Sequence, residues 1–130
     1  MPSRLFLLRN VLLLDAATCL LTGAMLTFGA RVLAQLTAIP TTLLLYAGVS
    51  LIPIAAFMAV TAMRAILPPL GVWIVIAGNA LWVAASVGLM IGPWIAPNAW
   101  GYAFIAAQAA AVAVLTKLEL DGTKDMVVAA

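Results

Sequence analysis

The sequence predicts an all-α polytopic membrane protein, with four transmembrane helices in an antiparallel, up-down-up-down bundle. Two observations carry that prediction. Hydrophobic residues make up 67% of the 130 residues and charged residues 8%, against about 45–50% and about 25% in soluble chains. A domain of this size leaves too much of itself in water to hide so much apolar surface. The charges are also segregated: no Asp, Glu, Lys or Arg lies between Arg31 and Arg64, or between Arg64 and Lys117. A crossing needs about 20 apolar residues, so the first gap fits one crossing and the second fits two with a turn between them. The whole chain, 1–130, reads as one domain.

The first span runs from about Leu5 to Gly29 and extends at most to Leu36. Arg4 and Arg9 before an apolar run resemble a signal peptide, but Asp15 interrupts the run and Ala16-Ala17-Thr18-Cys19 is a poor processing site, so the segment is expected to stay as an uncleaved helix. Ile39-Pro40 breaks the chain, since proline disfavours helix in the residue before it. The second span covers about Thr41 to Met63 and contains Pro53, a helix-kinking residue. Pro68-Pro69 ends the turn, and the third span covers about Leu70 to Ile91. Gly92-Pro93 stops it. Asn98 is positioned to cap the fourth span, about Ala99 to Leu118. Gly122 reads as a helix stop, with residues 119–130 as a solvated cytoplasmic tail.

Orientation follows from basic residues in the short flanks. One side holds Arg4, Arg9, Arg64, Lys117 and Lys124, the other Arg31 alone. Both termini are therefore expected on the cytoplasmic side of the membrane. Trp94, Trp100 and Tyr102 gather at the outer boundary and Trp73 near the inner one, as interfacial aromatics do.

Composition also excludes. There is no His and a single cysteine, Cys19, so no metal and no cofactor is expected, nor His-based catalysis. Scattered basic residues and a net charge of +2 argue against nucleic acid as a partner. The partners to expect are the lipid bilayer and a second copy or a larger membrane complex. On the third span Ala80, Ala84, Gly88 and Gly92 form a small-residue ridge at spacing four, which lets another backbone approach closely. It packs either within the bundle or between copies.

The candidate site is a polar cluster in the membrane. Counted from the cytoplasmic end of their helices, Asp15, Asn79, Gln108 and Pro53 all fall about 13–15 Å deep at 1.5 Å per residue. A lipid-facing Asp at a helix centre costs about 2.5–3.5 kcal/mol, so Asp15 should face the bundle interior. Asp15, Thr18, Cys19 and Thr22 make one polar stripe; Asn79, Trp82 and Ser86 make another. Asp15, Asn79 and Gln108 either hydrogen-bond one another to fix helix register, or build a midplane site in which Asp15 binds a proton, a cation or a polar group. The Trp82 indole needs an acceptor, for which a backbone carbonyl or Ser86 is the expectation.

Through Asn79-Ala80-Leu81-Trp82, Ser86, Trp94 and Gln108-Ala109 the chain resembles an uncharacterised group of small bacterial four-helix membrane proteins. That resemblance covers nearly the whole length and implies fold and location only. In layout the chain is also similar to the small multidrug resistance transporters, in which one membrane-embedded Glu of the first helix couples proton and cation binding. Asp15 occupies the similar position, but it is Asp rather than Glu, and the later spans lack that family's Tyr/Trp and Gly pattern. With one carboxylate and amides in the interior, an enzyme is not expected. The function to expect is a non-enzymatic structural or accessory component of the membrane; the alternative is a small proton-coupled transporter or channel-like module using Asp15.

Overall fold

A computed structural model describes the backbone of residues 2–129 and the side chains of residues 6–124. Among these residues all regular structure is helical: α1 (Pro2–Phe28), α2 (Ala30–Thr37), α3 (Thr41–Met63), α4 (Pro69–Ile91) and α5 (Ala99–Ala129). Four stretches, Phe6–Phe28, Thr41–Met63, Pro69–Ile91 and Ala99–Lys124, are long and apolar enough to cross a membrane. The protein is a multi-pass helical membrane protein. Its outward face is what lipid accepts and water rejects: Phe28, Ile66 and Leu81 are all more than 70% exposed.

Proline and glycine punctuate the chain much as the sequence predicts. Pro40 and Pro68 occupy the residues before α3 and α4, with Pro69 as the first residue of α4, where a missing N–H costs nothing. Gly92, extended, ends α4. Asn98 caps α5, its Oδ1 accepting from the Gly101 N–H at 2.9 Å. Pro53 lies inside α3, which continues through it.

The first span ends at Phe28, next to the expected Gly29, and the short α2 that follows ends on Ala38, held left-handed at φ 59° with its N–H on the Ala34 carbonyl. One boundary differs from the sequence reading. The fourth span does not stop at Leu118, and Glu119 and Thr123 are buried rather than part of a solvated tail. Helix α5 runs on to Ala129. Gly122 is there for packing rather than termination: a Cβ at this position would fall 2.8 Å from Leu8 Cδ1 and 2.9 Å from Leu8 Cβ. The helix persists because its inward face stays useful, with Thr116, Glu119 and Thr123 all buried.

The helices associate as two pairs, α1 with α3 and α4 with α5, and the pairs meet chiefly along α1 and α5. Contacts match antiparallel neighbours. Arg9, early in α1, donates to the carbonyls of Arg64 and Ala65 beyond the end of α3; Leu8 meets Gly122 late in α5. At the other end Asn98 ties the two connections together, its N–H on the Thr37 carbonyl and its side-chain amide on that of Leu36.

Helices α1 and α3 cross closely. A Cβ on Gly48 would fall 2.7 Å from Leu26 Cβ and from Thr27 N, and one on Gly23 3.0 Å from the Gly48 carbonyl. The ridge expected on α4 does not play this part within the chain. Ala80 and Ala84 are exposed, and a Cβ on Gly88 would meet open space. Gly92 is crowded by Trp94 of its own connection and by the Gly88 carbonyl of its own helix. Intimate packing falls instead on the inward glycines of α1 and α3, because those two helices cross closely.

Candidate functional site

Asp15 and Glu119 are both fully buried, and Asn79 is 5% exposed. One amide nitrogen joins them. Asn79 Nδ2 donates to Asp15 Oδ2 at 2.6 Å and to Glu119 Oε1 at 3.0 Å, so the two carboxyl oxygens lie less than about 6 Å apart. Three helices, α1, α4 and α5, each contribute one residue. Asp15 and Asn79 stand near the middle of their spans. Glu119 lies farther along α5, but helical side chains lean toward the helix N-terminus, which brings its carboxyl back to the level of Asn79.

The rest of the shell belongs to Asp15. Cys19 Sγ lies 3.6 Å from Asp15 Oδ1 as a weak donor, and the Thr18 hydroxyl donates to the Asp15 backbone carbonyl rather than to its carboxyl. Glu119 Oε2 is buried without a hydrogen-bond partner. No cation compensates either acid among the described residues. Lys117 and Lys124 pair with Asp121 at the surface, and the Arg9 head is engaged by backbone carbonyls.

The expected five-residue cluster thus divides. Asp15 and Asn79 come together, with Thr18 at the margin. Gln108 and Ser86 belong to a second layer: Trp82 Nε1 donates to Gln108 Oε1 at 2.6 Å, and Gln108 Nε2 donates to Ser86 Oγ and to the Ile105 carbonyl, both at 2.9 Å. Ser86 in turn donates to the Trp82 carbonyl, so the indole's partner is Gln108 and not Ser86. This layer meets α4 three to seven residues past Asn79, about 5–10 Å farther along. The equal depth expected of Asp15 and Gln108 fails because α5 extends beyond Leu118, the point from which Gln108 is counted. Pro53 is exposed and lines the wall of an open cleft rather than the buried interior.

No family model matches the chain, and neither a curated protein nor a solved structure does. The geometry alone therefore carries the function. Among the described residues no group of three His, Cys, Asp or Glu stands ready for a metal ion.

Sequence reasoning missed Glu119, counting one interior carboxylate where there are two. Its neighbours Lys117, Asp121, Gly122 and Lys124 make the segment look solvated. The signal that finds it is periodicity: Ala109, Thr116, Glu119 and Thr123 continue one buried face of α5 at helical spacing.

Proposed function

We propose that this protein is a small proton-binding module of the bacterial cytoplasmic membrane, a transporter or channel-like element without enzymatic activity, in which Asp15 and Glu119 hold one proton between them. The observation that carries this reading is the single Asn79 amide bridging two wholly buried carboxyl groups that no cation balances among the described residues. Two adjacent bare carboxylates in a low dielectric repel each other, so such pairs retain a proton. That proton supplies the donor Glu119 Oε2 lacks. A merely structural polar contact would be served by amides and hydroxyls, as the Trp82–Gln108–Ser86 layer is. Membrane-embedded acids of this kind line proton relays and ion pathways.

Cytoplasmic termini follow from the basic residues: Arg9, Arg64, Lys117 and Lys124 belong to one end of the bundle and Arg31 to the other. The bacterial source rests on the resemblance to small bacterial four-helix proteins.

Infrared spectroscopy of the reconstituted protein at neutral pH tests the shared proton. A protonated carboxylic acid band should be present, and it should shift in frequency in both Asp15→Asn and Glu119→Gln as the proton loses its second carboxyl. Its absence from the wild type sinks the proposal. In liposomes carrying a pH gradient, the same two substitutions should abolish any proton flux the protein adds.

A second reading has its own observation. The outward face of α4 is unfilled at Gly78 and Gly88, which suits an accessory protein that docks a second helix there. Co-purification of a larger complex in mild detergent, with flux unchanged by Asp15→Asn, favours it.

A further inference from the structure

The two helix pairs leave a cleft of about 390 Å³ between α3 and α4, lined by residues of all four spans. We propose that this cleft binds a neutral, lipid-soluble molecule that donates one O–H or N–H hydrogen bond to the Asn79 carbonyl. The inference deepens the proton-binding reading and rests on it in one respect: the acid pair is what fixes the Asn79 amide.

The lining sets the chemistry of the occupant. Leu51, Phe57, Ile74, Val75 and Leu115 make the walls apolar, which suits an apolar body. Ile54, Phe57 and Ile74 at the rim are exposed on the lipid-facing surface, so the ligand arrives from the hydrocarbon rather than from water.

The polar contact is specific. Asn79 lines the cleft, whereas Asp15 and Glu119 are closed off behind it. Both carboxyl contacts are made by Asn79 Nδ2, which leaves Oδ1 on the side toward the cleft, without a hydrogen-bond partner among the described residues. A buried carbonyl presented to an apolar cavity calls for a donor. A cation is a poor occupant, because it would be stripped of water with no carboxylate in the lining to receive it.

The test uses two probes of nearly one shape in lipid-bilayer discs of phosphatidylcholine at neutral pH. 1-Naphthol carries the donor; 1-methoxynaphthalene does not. Binding is read from saturable quenching of tryptophan emission, with Trp82 in the cleft wall. The naphthol should bind about fivefold more tightly than the ether, the effect of one net hydrogen bond. Asn79→Leu should make the two probes equal. Gly78→Leu should abolish saturable binding of both, since Gly78 lines the cleft and a Cβ there meets open space, so this variant folds even if Asn79→Leu does not. Equal affinities in the wild type would mean a slot for an acyl chain only and would overturn the proposal, as would binding unaffected by Gly78→Leu. Loss of the naphthol preference with the infrared acid band intact overturns the ligand reading alone; loss of the band with the preference intact overturns the proton reading alone.

Discussion

Alanine at Gly48 should force α1 and α3 apart, and the size of the effect follows from where the new methyl lands. It falls 2.7 Å from Leu26 Cβ, from Thr27 N and from Thr27 Oγ1. The hydroxyl can rotate away; the backbone nitrogen and the Cβ cannot. Restoring ordinary contact at about 3.5–4.0 Å requires the two helices to separate by roughly 1 Å. Overpacking of that order costs about 1–3 kcal/mol, while replacing Gly by Ala in a helix interior returns about 1 kcal/mol. The control is Gly88→Ala on α4, the same chemical change with the same propensity gain, where the methyl meets open space. Propensity cancels between the two variants, so their difference isolates the packing cost, about 1–3 kcal/mol. Unfolding by detergent titration in mixed micelles, followed by tryptophan emission, measures it. Stabilities that agree within about 0.5 kcal/mol would refute the close crossing.

Three further outcomes are expected. Asn79→Leu removes the only side-chain amide serving both buried acids and should destabilise the protein by about 3 kcal/mol; adding Asp15→Leu and Glu119→Leu should recover most of that loss in the same titration, because an all-apolar cluster strands no polar group. Gln108→Leu takes away the Trp82 acceptor: in a variant whose only tryptophan is Trp82, emission should shift to the blue, with a stability loss of about 0.6 kcal/mol, near the average for hydrogen bonds between membrane helices. Gly122→Leu should drive α5 away from Leu8 and cost about 1–3 kcal/mol, while Leu120→Ala, one turn position away on an exposed face, should stay within about 0.5 kcal/mol.

The spans were legible in the sequence because lipid imposes one rule on every residue of a crossing, and charge-free runs bounded by Pro40, Pro68-Pro69 and Gly92-Pro93 obey it. Asn98 was legible as a cap for the same local reason. What was not legible depends on neighbours far away in the chain. Whether Gly122 ends a helix or admits Leu8 is decided by α1. Whether Glu119 is solvated is decided by Asp15 and Asn79. Composition near a helix end averages over exposed Lys117 and buried Glu119 alike, and only the continuing period of buried positions separates them. The Gln108 layer was misplaced by the same boundary: an error in where α5 ends becomes an error in which polar residues share a level.

The acid pair also imposes an order on biogenesis. A ribosome delivers Asp15 in the first span, Asn79 in the third and Glu119 at the end of the last. Until the third span arrives, Asp15 has no partner from another helix, at about 2.5–3.5 kcal/mol for an acid facing lipid. A chain truncated ahead of Asn79 carries that unmet cost permanently, which marks it for membrane proteases; the finished chain does not. The fourth span is thus the one that completes the interior of the first.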